Sequence, residues 1–194
     1  MRGALAYEPV VDERENYELI NGEVYMMSRP SVKHWRISNN IIRKFEKYLR
    51  GKTCEAFGEV DVHLSADTNV VPDAMIVCNP DIVEDDGIHG VPDLIVEILS
   101  PSTARKDRMV KFRLYERCGV KEYWIVNPRE RSVEVYLSID EHFELDGVYQ
   151  FFTEAEYKRL TDREKSEAEA QQKIKVSLYD DFIVDVKDVF EDVD

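Results

Sequence analysis

With 194 residues, 43% of them hydrophobic and 10% aromatic, the chain has material for one domain with a buried core, and this composition excludes a disordered polypeptide. A formal net charge of −14 argues against a polyanionic partner until its distribution is read. Residues 140–194 hold 17 acids against 7 bases, a net −10, so residues 1–139 carry only −4.

No apolar run reaches the length of a membrane span and the opening MRGALAYEPVVDEREN lacks a signal-peptide layout, so a cytoplasmic protein with no membrane partner is expected. Cys54, Cys78 and Cys118 are far apart, without CxxC spacing, and are expected as reduced, mostly buried thiols. His34, His63, His89 and His142 show neither HxxxH nor HExxH spacing, which argues against zinc. A Gly-rich phosphate loop and a GxSxG motif are absent.

In chain order, YELI, Asn21-Gly22 and EVYMM spell a β-hairpin closed by a type I′ turn. Ser31 then caps an amphipathic helix that Gly51 stops. Its wet side is basic: residues 29–52 carry Arg29, Lys33, Arg36, Arg43, Lys44, Lys47, Arg50 and Lys52 against Glu46 alone. Extended segments follow at 53–64, 69–78 and 93–99, with 79–90 a loop.

A second helix starts at Ser102 or Thr103 and ends at Gly119. It carries the second basic stretch, Arg105, Lys106, Arg108, Lys111, Arg113 and Arg117 against Asp107 and Glu116. Solvated helix faces account for either stretch alone; the two together make nucleic acid admissible. Strands are expected at 121–126 and from 132 to 137, and a hairpin over 143–152 turning near Asp146-Gly147. Residues 154–172 read as a solvent-exposed helix, and 176–190 return to the body and end in a short helix. The expectation is one domain over 1–194, with its core at about 17–138 and an acidic part at 139–194.

The run VPDLIVEILSPST carries a glutamate inside an apolar strand, where ionisation is costly unless a cation or hydrogen bonds compensate. By strand alternation Glu97 shares a face with Ile95 and Leu99, and Asp73 in NVVPDAMIV shares one with Val71 and Met75. If the two strands pair, both carboxylates converge on a hard divalent cation. Taken singly, each acid could equally be satisfied by hydrogen bonds or basic partners. On the second helix Asp107, Lys111 and Tyr115 form one stripe at i, i+4 and i+8. An Asp–Lys helix pair explains the first two; a lysine facing the acids could also hold a phosphate.

The segments YELINGEVYMMSRPSVKH, VVPDAMIV, VPDLIVEILSPST and GVKEYWIVNP, with Asp107, Lys111 and Tyr115, resemble the Uma family of restriction-endonuclease-like proteins within the PD-(D/E)xK nuclease superfamily. The resemblance implies an α/β restriction-endonuclease-like core, a mixed central sheet flanked by helices. It also implies that Asp73, Glu97 and the Ile98 backbone carbonyl ligate Mg²⁺ or Mn²⁺. The superfamily pattern asks for lysine at 99, where this chain has Leu99; similar families take the lysine from the next helix, which maps the role onto Lys111. Glu23 and His34 fall within family-like motifs as further site-lining residues, beside Asp107 and Tyr115.

The implied function is a Mg²⁺-dependent endonuclease hydrolysing DNA, with a homodimer suited to double-strand cutting. The alternative is a catalytically weak or inactive nucleic-acid-binding protein on a nuclease fold, which Leu99 keeps open. A regulatory protein associating through its acidic C-terminal part is a third reading.

Overall fold

Asn21 and Gly22 both take positive φ, 50° and 78°, as a type I′ turn demands. β1 (Tyr17–Ile20) therefore folds back on β2 (Glu23–Met26) with Ile20 opposite Glu23. The computed structural model describes residues 17–193, so the segment to which the signal-peptide reading applies lies outside the described residues. Ser31 caps α1 (Val32–Leu49) by accepting from the His34 N–H, and Gly51 follows the helix at φ 78°. Ile37, Ile41, Phe45 and Leu49 form its buried stripe.

The extended segments become β3 (Glu55–Phe57), β4 (Val62–Ser65), β5 (Thr68–Val70) and β6 (Ala74–Val77). The expected loop at 79–90 is more ordered than its composition suggests. It holds a 3₁₀ turn at Pro80–Ile82 and a small hairpin of β7 (Val83–Glu84) and β8 (Gly87–Ile88). After β9 (Leu94–Ile98), the second helix begins as a π-helix over Lys106–Lys111 and continues as α2 (Phe112–Cys118), which Gly119 ends at φ 83°.

β10 (Glu122–Asn127) and β11 (Ser132–Ile139) follow, then β12 (His142–Gln150). The hairpin expected at Asp146-Gly147 is displaced. The chain turns at Asp140 and Glu141, both at positive φ, and Asp146 is an extra residue bulged out of β12 between the pairs Val135–Gly147 and Tyr136–Leu145. The polar stretch is two helices rather than one, α3 (Glu154–Tyr157) and α4 (Asp162–Ala170), each opened by a threonine capping box at Thr153 and Thr161. The small pair β13 (Lys173–Lys175) and β14 (Ile183–Asp185) precedes α5 (Val186–Val189).

The central sheet runs β12-β11-β10-β9-β6-β3 and is mixed, with β9 parallel to β10 and its other pairs antiparallel. One face packs on α1, α5 and the β13–β14 pair through Phe45, Trp124, Phe182 and Val186; the other packs on α2 and on the second sheet, β2-β1-β5-β4-β8-β7, through Met75, Ile95, Tyr115 and Tyr123. Glu97 and Asp73 point to this second face.

The cysteine expectation is corrected. Cys54 and Cys78 form a disulfide with Cα atoms 3.9 Å apart, and only Cys118 is free. Antiparallel pairing of Glu55 with Val77 makes Cys54 and Cys78 the next facing pair, a proximity that a spacing of 24 residues does not announce.

Candidate active site

β6 pairs antiparallel with β9, Ala74 facing Val96, so that Asp73 and Glu97 are the next pair along the same register. The carboxylates emerge side by side where the strands part. The Ile98 N–H donates to Asp73 Oδ2 at 2.6 Å, and His34 Nε2, in the first turn of α1, lies 2.7 Å from Asp73 Oδ1. Burial works against the charged imidazole, but the hydrogen bond and charge of Asp73 outweigh it and raise the His34 pKa.

Glu97 is buried at 4% exposure, its Oε1 accepting from Lys111 Nζ and from the Tyr115 hydroxyl, both at 2.7 Å. Asp107, Lys111 and Tyr115 all lie on the buried face of the helix, as their spacing indicates. The wider π turn, in which the Phe112 N–H reaches the Asp107 carbonyl, places Asp107 and Lys111 against the strand end; such turns recur at functional sites. Tyr123 donates its hydroxyl proton to the same Asp107 carbonyl at 3.2 Å.

A third strand contributes a residue that the sequence pattern did not single out. Glu18 of β1 is fully buried and bridges Lys111 at 2.6 Å and Lys106 at 2.5 Å, while also accepting from the Val71 N–H. Burial would raise its pKa, but Lys111 and Lys106 outweigh that and lower it. Burial likewise opposes the Lys111 ammonium; Glu97, Glu18 and Asp107 reverse the balance and keep it protonated. The available signal was strand alternation: Glu18 and Ile20 share a face of β1, an acid inside a half-buried hairpin strand.

Glu23 is corrected from its expected position, although its pairing with Ile20 puts it on the same sheet face as Glu18. Next to the turn it is exposed, accepts from the Tyr25 hydroxyl, and stands outside the cleft lining. Of the other expected residues, Asp73, Glu97, Ile98, His34, Asp107 and Lys111 all line one open cleft of about 1210 Å³, whereas Tyr115 lies behind Glu97 in the core. Leu99 lines the cleft where the superfamily pattern would place a lysine.

The donor set suits a hard dication. Asp73, Glu97, Asp107 and Glu18 outnumber Lys106 and Lys111, and Asp107 Oδ1 is buried without a hydrogen-bond partner. Glu97's pKa is pushed well above the ordinary range, first by burial and then, against Lys111, by Asp107, Asp73 and Glu18. Burial raises that of Asp107 too, with Lys111 opposing. A divalent cation between these oxygens would satisfy the orphaned atom and relieve the repulsion.

Basic residues frame the cleft: Arg29 and Lys33 on the α1 side, Lys106 and Arg108 on the π-helix, and Arg129 after β10. No helix among the described residues is long and apolar enough to cross a membrane.

This arrangement has relatives. A crystal structure from Anabaena variabilis, described as a "putative nuclease belonging to DUF820", superposes with a TM-score of 0.66 over 90% of this chain and 89% of that one, at 21% identity, and so shares the fold. The uncharacterized protein slr1290 of Synechocystis sp. is 31% identical over 133 residues, 66% of this chain and 70% of that protein. The family model Uma2, described as "Putative restriction endonuclease", matches residues 4–163. With that span covering the hairpin, both site strands and the lysine-bearing helix, the chain belongs to the Uma2 family of restriction-endonuclease-like proteins.

Proposed function

We propose that the protein is a divalent-metal-dependent endonuclease that hydrolyses DNA phosphodiester bonds in the cleft between β6, β9 and the π-helix. The observation that carries this reading is the juxtaposition of Asp73 and Glu97 on paired strands with Lys111 anchored beside them. Asp73, Glu97 and the Ile98 carbonyl would hold Mg²⁺ or Mn²⁺, and Asp107 lines the same cleft as a further oxygen donor. When bound, such a cation supplies Lewis-acid stabilisation of charge developing on the phosphoryl oxygens.

The chain's own groups do the rest. Lys111, held charged between Glu97 and Glu18, presents a fixed positive charge to the transition state at no reorganisation cost. Tyr115 keeps the Glu97 carboxylate in one orientation. Arg29, Lys33 and Arg129 are exposed at the cleft and are placed to take backbone phosphates, interactions that position a duplex without reading its sequence. His34, bonded to Asp73, fixes the rotamer of that carboxylate.

The test is cleavage of plasmid DNA by wild type in Mg²⁺ or Mn²⁺, absent in EDTA and Ca²⁺, with Asp73→Asn and Glu97→Gln abolishing both cleavage and Mn²⁺ binding. Binding of Mn²⁺ that survives in both variants would refute the ligand assignment. One observation favours the second reading, a nuclease fold that binds nucleic acid without cutting it. Lys111 already spends its charge on two carboxylates while Leu99 offers none. DNA binding with no cleavage under any of these metals would establish that reading instead.

A further inference from the structure

Three potential metal-binding side chains gather on the second sheet, outside the cleft lining: His63, Asp86 and His89. β4 and β8 run parallel with Val62 beside Ile88, both of which point into the core. Alternation then turns the following residues, His63 and His89, out on the opposite face and next to one another. Their rings stack with centroids 4.5 Å apart and planes 29° from parallel. Asp86, in the β7–β8 turn, brings Oδ1 to 2.9 Å from His89 Nε2, and one ligand atom from each residue lies within 4.8 Å of the others.

The backbone that carries this group is held from both sides. The Ile88 N–H donates to the Asp61 carbonyl at 2.8 Å and the His89 N–H to the Ile82 carbonyl at 2.7 Å. Gly87 stands at φ 150°, where a Cβ would come within 2.5 Å of the Asp61 carbonyl oxygen, so the turn lies flush on β4 in a way only glycine allows. The cross-strand partner of His63 is Asn69, whose Oδ1 is buried with no hydrogen-bond partner. An acceptor of that kind is what a metal-ligating histidine uses for its second ring N–H.

We propose that His63, Asp86 and His89 bind one borderline transition-metal dication, Zn²⁺ being the representative, at a site separate from the carboxylate cleft. Two imidazoles and one carboxylate suit Zn²⁺, Co²⁺ or Ni²⁺ and disfavour Mg²⁺, which prefers oxygen throughout. Around a tetrahedral ion with bonds of about 2.1 Å the ligand atoms stand roughly 3.4 Å apart, so the observed spread needs only small side-chain rotations. The ion would tie the β7–β8 hairpin to β4, with the remaining positions left to water. His63 and His89 are 26 positions apart in sequence, which is why no HxxxH pattern announces the site.

The experiment is a calorimetric titration of the full chain, stripped with chelator and kept in excess Mg²⁺, with Zn²⁺, alongside histidine ring NMR. One equivalent of Zn²⁺ is expected, shifting the ring signals of His63 and His89, which Mg²⁺ leaves in place. Affinity should fall by about tenfold or more in His63→Gln and in His89→Gln, where a ligand is removed, and should persist in Asp73→Asn. Failure of the wild type to take up Zn²⁺, uptake unchanged in both histidine variants, or uptake abolished in Asp73→Asn would each overturn the proposal. Should a histidine variant unfold, the wild-type ring shifts decide: signals of His63 and His89 that do not move with Zn²⁺ overturn it. Since the readout is Zn²⁺ uptake, the result stands apart from the fate of the nuclease reading.

Discussion

The two basic stretches, 29–52 and 105–117, are alike in sequence and used in opposite ways. On α1 the charges stay at the surface. Arg29 and Lys33 reach the cleft, but Lys44 pairs with Asp188 and Arg36 donates to the Asp192 carbonyl. Lys52 lies over the rings of Tyr48 and Tyr179, the former bonded to Asp181. Three of the eight bases, Arg36, Lys44 and Lys52, therefore face the C-terminal part of their own chain rather than a foreign anion. On the second helix Lys106 and Lys111 are drawn inward onto Glu18 and Glu97, and Arg108 makes a bidentate pair with Glu134. Charge density alone does not separate these uses; burial does, because a pair removed from water interacts far more strongly and leaves a costly orphan when broken.

The contrast can be broken first at Lys111. Lys111→Met leaves Glu97, Glu18 and Asp107 buried without their shared cation, and should lower unfolding stability in chelator by about 3–5 kcal/mol, measured by urea denaturation. Added Mn²⁺ should recover part of that stability. In metal, cleavage should fall by roughly 10²-fold or more. Wild-type stability in this variant would mean the network contributes nothing.

Glu18→Gln comes next, since it removes one carboxylate but keeps a carbonyl acceptor, and should cost about 1–3 kcal/mol at neutral pH. The folded pKa of Glu18 is lowered from its ordinary 4.5. Its stabilisation is therefore present above the unfolded value and lost as pH falls through the folded one. The gap between wild type and Glu18→Gln should close in that acid window; a constant gap down to about pH 2 would contradict the assignment.

Smaller effects fall on α1. Lys33→Glu should leave melting within about 0.5 kcal/mol of wild type while weakening DNA binding and flattening the log–log salt slope by about 0.9, the share of one neutralised phosphate. Lys44→Ala should change DNA affinity not at all and stability by under about 1 kcal/mol, as expected for a partly exposed pair. Equal DNA-binding defects in the two would erase the distinction drawn between the ends of this helix.

Much of the candidate site was legible in sequence because it lies on regular elements. Alternation placed Asp73 on one strand face with Met75 and Glu97 on one with Ile95, and helical spacing placed Asp107, Lys111 and Tyr115 on one stripe. A glutamate in an apolar strand is not by itself a sign of chemistry, however. Glu122 of β10 is fully buried as well, yet it accepts from Trp124 Nε1 and from the Ser177 N–H and hydroxyl. That carboxylate pins the C-terminal part to the sheet and sits outside the cleft. Their partners, and the opposite sheet faces on which they stand, tell Glu97 and Glu122 apart.

What the amino-acid order determined by itself was local. The Asn21-Gly22 turn, the Ser31 cap, the Gly51 and Gly119 stops and the facial assignment of each strand follow from backbone conformational limits and side-chain periodicity, which act over a few residues. The tertiary structure decided everything that depends on which strands become neighbours. Pairing of β6 with β9 brings Asp73 to Glu97, and pairing of β3 with β6 brings Cys54 to Cys78. Packing of the hairpin sheet over the π-helix delivers Glu18 to Lys111, and parallel pairing of β4 with β8 sets His63 beside His89. Periodicity fixes the face on which a side chain stands, but not the register or partner across from it. Those are chosen by which arrangement buries both faces of the central sheet at once.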